Sequence, residues 1–248
     1  LHYPLRRQRQ MCIRDSPKRC PHFLEIAKKI SSHYETEMGI PIDMEFTYET
    51  FEKKITLVQL RPLSSYEEMA SVKIPETSQE KMLLKGSRMV SNGKIDRTTH
   101  IVYVDPFNYG TRDNFFKIAR ALGKINNSLK GTQYILVGPG RWGSVNPVLG
   151  VPVDYAELCN CGCLVELGIV EKHFTPELSY GTHFFLDLDV DNILYLPVFV
   201  GNDADIFNRE WFENRIYETG LEEEIRIYKG DFSIFLDGDT EEGIVIEN

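Results

Sequence analysis

Between residues 101 and 137 the hydrophobic pattern runs strand, helix, strand, and that order commits this part of the chain to an α/β layout. Residues 101–104 and 134–137 are short apolar runs. Between them, residues 111–129 repeat Phe115, Ile118, Ala119, Leu122 and Ile125 at helical spacing. Further short strands are expected at residues 163–170, 184–188, 193–200, 224–228 and 232–236, with a helix across 208–217. The fold class read from this is α/β in the broad sense, a mixed α+β domain.

The 248 residues carry 37 acidic against 28 basic side chains, a formal charge of −9, which speaks against non-specific nucleic-acid binding. No apolar run approaches the roughly 20 residues of a spanning helix, so no membrane role is expected. Residues 1–20 are set apart by Arg6, Arg7, Arg9, Arg14, Lys18 and Arg19 and lack the apolar core of an export signal. They read as a non-native leader, with a basic nucleic-acid-binding arm as the rival reading. Cys159, Cys161 and Cys163 sit too close for a disulfide framework, and strand alternation would turn their sulfurs to one face. Small buried residues explain them best, and a reducing cytoplasm is the expected location.

Pro21 can open a helix that buries Phe23, Leu24, Ala27, Ile30 and Tyr34, with Gly39 as its stop. Residues 42–47 and 55–60 then read as an antiparallel pair. A polar, Ser/Glu/Pro-rich stretch follows, so the organisation expected is a leader at 1–20, a first domain at 21–66, a linker at 67–84 and an α/β domain at 85–248. Alternation puts Asp43 and Glu45 on one face of the first strand, and Ile55, Leu57, Gln59 and Arg61 on one face of the second. A carboxylate, an amide and a guanidinium can then converge, the parts that magnesium and phosphate oxygens require. An edge-strand salt bridge between Glu45 and Arg61 is the simpler reading of the same spacing.

His33-Tyr34, then Gly39-Ile40-Pro41-Ile42-Asp43-Met44-Glu45-Phe46, then Leu57-Val58-Gln59-Leu60-Arg61-Pro62 resembles the end of the nucleotide-binding domain of phosphoenolpyruvate synthases and pyruvate phosphate dikinases. The resemblance covers about residues 21–63. It implies the closing piece of an ATP-grasp domain in an ATP-dependent phosphotransferase, with ATP and Mg2+ as cofactors and pyruvate or a similar small anion as substrate. Carried onto matching positions, it makes Glu45 a magnesium ligand and sets Gln59 and Arg61 beside the nucleotide phosphates. The family's phosphate-binding loop, phosphohistidine signature and enolpyruvate barrel have no counterpart in these residues, so this piece alone is expected to be inactive.

Past the strand at 134–137 comes Gly138-Pro139-Gly140-Arg141-Trp142-Gly143-Ser144, a glycine-rich turn bearing an arginine fork. Ser179-Tyr180-Gly181-Thr182-His183 could bring a hydroxyl and an imidazole to it. Arg141, Ser144 and His183 are therefore a candidate set for an anionic metabolite. A structural corner and a capped turn explain the same residues equally well. With Val104-Asp105-Pro106, these runs resemble the C-terminal region of bacterial phosphoenolpyruvate-synthase-like proteins that lack the carrier and barrel domains. The alternative to the enzyme is a non-catalytic regulatory module that binds a nucleotide or an anionic metabolite.

Overall fold

The computed structural model describes residues 21–40, 42–49, 51–62, 72–169, 178–179 and 183–248, and the chain divides into two compact units, Leu1–Glu67 and Glu68–Asn248.

In the first unit, helix α1 (Pro21–Met38) ends at Gly39, whose φ of +67° suits glycine and whose amide donates to the Glu35 carbonyl at 2.9 Å. Its Phe23 ring meets Phe46 and Tyr48 of strand β1 (Ile42–Glu49) at centroid distances of 5.4 and 5.0 Å. Strand β2 (Lys54–Pro62) pairs antiparallel with β1. The register skips Val58, since Phe46 faces Leu57 and the next residue, Glu45, faces Gln59. This bulge corrects the simple alternation expected for β2. Leu57 and Ile55 lie on the Phe46 and Tyr48 side, whereas Gln59 and Arg61 share the register face of Glu45 and Asp43.

In the second unit, nine strands among the described residues form one mixed sheet. Strands β4 (Gly93–Val104), β5 (Tyr134–Pro139), β6 (Cys161–Leu167) and β7 (Leu194–Val198) are parallel neighbours in chain order. Helix α2 (Phe115–Ser128) links β4 to β5, and helix α3 (His183–Val190) precedes β7. Both lie on one face, where Ile118, Leu122 and Leu188 pack with Val102, Leu136, Leu164 and Tyr195.

Beyond β4 the sheet turns antiparallel through β10 (Ile225–Asp237), β11 (Glu242–Glu247), β3 (Met82–Gly86) and β8 (Ile206–Phe207), while β9 (Glu218–Thr219) pairs with β10. The two ends curl toward each other. Ser91, just past β3, donates its amide to the Tyr195 carbonyl of β7 at 3.1 Å, and the Tyr195 amide returns to Ser91 Oγ at 2.8 Å. Inside the curl lie Ile101, Tyr103, Ile135, Val165, Leu196, Tyr228, Phe232 and Val245, closed by Phe212 of helix α4 (Arg209–Asn214).

Several expectations need correction. Residues 184–188 lie in α3 and form no strand, because a short dense apolar run fits a buried helix as well as a buried strand. The two strands expected at 224–228 and 232–236 are one strand, β10, which passes Gly230 through a register irregularity against β4. Residues 82–84, assigned to the linker, already belong to β3. The cysteines do not share a face. A register shift after Cys161 sends Cys161 to the helix side and Cys163 into the curl, while Cys159 is exposed ahead of β6. Burial raises both strand thiols above the usual range, which makes them unreactive packing residues.

Candidate functional site

The hairpin of the first unit gathers the residues expected to hold nucleotide. Glu45 sits directly across from Gln59 on the side of the hairpin opposite Phe46 and Tyr48, and Asp43 is paired in register with Arg61. Arg61 is thus the register partner of Asp43, one pair along from Glu45. The Glu45 side chain is half-buried and makes no hydrogen bond or ion pair among the described residues, and Gln59 is exposed. The side chains of Asp43 and Arg61 lie outside what is described. No group of three or more His, Cys, Asp or Glu among the described residues could enclose a metal. One free carboxylate nonetheless suits Mg2+, which takes one or two protein carboxylates and completes its shell from water and nucleotide phosphates.

In the second unit the glycine-rich turn leaves the carboxyl end of β5 and folds Trp142 back beneath it. A Cβ at Gly138 would fall 2.5 Å from the Trp142 ring, and Gly140 has a φ of +59°, so both glycines have packing reasons. The corner is fastened by Glu166 of β6, which is fully buried. Its Oε1 accepts from the Trp142 amide at 3.1 Å and from Ser179 Oγ at 2.5 Å. Its Oε2 accepts from the Ser179 amide at 2.7 Å and from the Tyr195 hydroxyl at 2.8 Å. Three chain segments thus meet on one carboxyl group. Burial raises its pKa to about 7, against the opposing pull of the four hydrogen bonds.

Ser144 spends its hydroxyl on its own turn, donating to the Asn146 carbonyl at 2.9 Å and accepting from the Asn146 amide. Arg141 is half-buried beside it. His183 opens α3, but its side chain, with His173, Tyr180, Gly181 and Thr182, lies outside the described residues. The structure thus accounts for the corner through Glu166, a residue the sequence reading passed over. The available signal was a lone carboxylate in the otherwise apolar run of β6.

At the neighbouring strand end, Asp105 follows β4 and is buried against Arg226 of β10, with Oδ2 accepting from Nη2 at 2.6 Å. Glu224 Oε1 accepts two bonds from Arg112, at 2.9 and 2.8 Å, and a third from Asn114. Burial alone would raise the Glu224 pKa, but the Arg112 and Asn114 hydrogen bonds and the arginine charge hold it below the ordinary range. These pairs lock the loop after β4 onto β10.

Fold and site together describe an α+β protein whose first unit offers a helix-backed hairpin with a polar face, ahead of a curled mixed sheet. Residues 2–82 match the family model for the pyruvate phosphate dikinase AMP/ATP-binding domain, about a third of the chain. The matched segment takes in residues 2–20, which composition had set apart. A search of curated proteins found no match. No helix among the described residues is long and apolar enough to cross a membrane.

Proposed function

We propose that the first unit is the closing part of an ATP-grasp domain in a cytoplasmic phosphotransferase of the phosphoenolpyruvate synthase and pyruvate phosphate dikinase type. The observation that carries this reading is the bulged register, which pairs Glu45 with Gln59 and Asp43 with Arg61 within the segment similar to an AMP/ATP-binding domain. Glu45 holds Mg2+ by one carboxylate oxygen, Gln59 donates to a phosphate oxygen, and the Arg61 fork neutralises charge on the phosphoryl group in flight. A magnesium ion held there would supply charge withdrawal from the nucleotide phosphates. A small anion such as pyruvate is the proposed final acceptor. The second unit, Glu68–Asn248, has no assigned role in that reaction.

The test is nucleotide binding by the protein expressed from its native gene, followed by calorimetry with ATP at varied Mg2+. Wild type is expected to bind ATP at least tenfold more tightly with Mg2+ than without. Glu45→Gln keeps the shape of the side chain and removes its charge, so the magnesium enhancement should disappear while metal-free binding stays within about threefold. An enhancement that survives in Glu45→Gln removes the proposed metal role. Absence of ATP binding in the wild-type protein removes the reading as a whole.

A further inference from the structure

The geometry points to an oxyanion site at Arg88 in the second unit, formed where the loop after β3 crosses the carboxyl end of β7 and independent of the nucleotide reading. The Arg88 guanidinium lies over the Phe199 ring with Cζ 3.7 Å from the centroid. Both members of the stack are tied to one carboxylate. Ser87, the residue before Arg88, donates Oγ to Asp205 Oδ1 at 2.5 Å, and the Phe199 amide donates to Asp205 Oδ2 at 2.7 Å. Asn202 adds a third donor to Asp205 Oδ1 at 3.3 Å and a long one, 3.5 Å, to Ser87 Oγ. Asp205 is thus occupied by neutral donors and forms no ion pair with Arg88. On the other side, Met89 holds a φ of +58°, a left-handed conformation that non-glycine residues adopt at a cost.

What this scaffold holds in place is a positive charge without a counter-charge. Arg97, Arg112, Arg120, Arg209, Arg215 and Arg226 each reach a carboxylate. Arg88 joins no hydrogen bond or ion pair among the described residues, and its Nε is shut from solvent with no acceptor. A guanidinium seated over an aromatic ring with only its Nε shut from solvent leaves its two Nη groups to meet a ligand and loses little further freedom on binding, which suits planar or tetrahedral oxyanions. The place fits as well, since ligands of α/β sheets gather beyond the carboxyl ends of parallel strands. The class of ligand is a small molecule bearing a carboxylate or a phosphate.

Thermal melts of the full chain in increasing sodium phosphate and, separately, sodium malonate test this, with sodium chloride matching ionic strength. Wild type should show a saturating rise on the order of 5 °C at a hundredfold excess over Kd with at least one of the two anions. Arg88→Gln should lose at least tenfold in apparent affinity for that anion. Arg88→Lys, which keeps a stem over Phe199 and a point charge, serves if the glutamine variant does not fold, and should weaken binding by several-fold. The Arg88 Nε–H resonance, assigned by its loss in either variant, should shift along the same saturation curve. Equal stabilisation of wild type and variant, or an Nε–H signal that neither anion moves, overturns the site. The shared increment would then be general salting-out of the folded state.

Discussion

Replacing Glu166 with leucine should destabilise the second unit by about 3–5 kcal/mol, since it strips the acceptor from two buried amides at about 1–3 kcal/mol each. For a unit of this size the melting temperature should fall by roughly 10 °C. The loss follows from geometry. The Trp142 and Ser179 amides can only donate, and with Glu166 gone neither retains the acceptor that holds its segment. Glutamine does not rescue the site, because its NH2 end must face one of those two amides whichever way it is turned.

The same residue sets a pH dependence whose sign runs opposite to that of a salt-bridged acid. The carboxyl ionises near 4.5 in the unfolded chain and at about 7 in the folded one. Between those values the folded protein holds a proton that the unfolded chain has released, so stability falls as pH rises. The contribution is complete below about pH 4.5 and lost above about pH 7, amounting to about 3 kcal/mol. The protonated acid can donate to Ser179 Oγ while its remaining lone pairs still receive both amides. Melts of wild type and Glu166→Gln from pH 4.5 to 8 should therefore converge toward neutral pH. Parallel curves would show that Glu166 stays ionised throughout.

In an active phosphotransferase, Arg61→Ala should slow phosphoryl transfer on the order of a hundredfold or more while ATP affinity changes within about threefold. Negative charge on the transferring group peaks in the transition state, so an arginine that neutralises it acts mainly on rate. Arg61→Lys should recover part of the rate, since it restores charge without the two-pronged fork. Single-turnover measurements with saturating Mg2+ and ATP separate the two quantities. Equal losses in affinity and rate would make Arg61 an ordinary binding residue, and an unchanged rate would remove it from the chemistry.

The hairpin shows where sequence patterning reads well and where it stops. Helical spacing of Phe23, Leu24, Ala27, Ile30 and Tyr34 marked α1, and two β-rich runs marked both strands. The bulge at Val58 was invisible, since one extra residue leaves composition and propensity unchanged while reversing every side chain beyond it. The convergence of Glu45 and Gln59 was thus expected from an alternation that the strand breaks. In the second unit, the strand–helix–strand core at 93–139 was recognised, but β4 was seen only in its last four residues. Its first half buries only Ile95 and Thr98, three apart, so it shows neither a period of two nor a continuous apolar run. The acidic run from Asp237 to Glu242 masks the start of β11, which begins at Glu242 and buries Ile244 and Val245. Glu166 eluded the reading because its partners arrive from residues 142, 179 and 195, a coincidence that no local pattern encodes.

The position of β11 governs how the second unit can be assembled during synthesis. It is the last strand in chain order among those described, yet it lies inside the sheet, between β10 and β3. Until residues 242–247 have been made, β3 has no strand to join on that side, and the β10 edge beside it stands open. A nascent chain can form the parallel half from β4 to β7 early, through its local helix connections, but the ring around the inner core waits for contacts across more than 150 residues. Such distant pairings slow folding and leave strand edges open to neighbours in the meantime. The second unit is therefore expected to depend on chaperone protection during translation more than its finished, well-packed core would suggest.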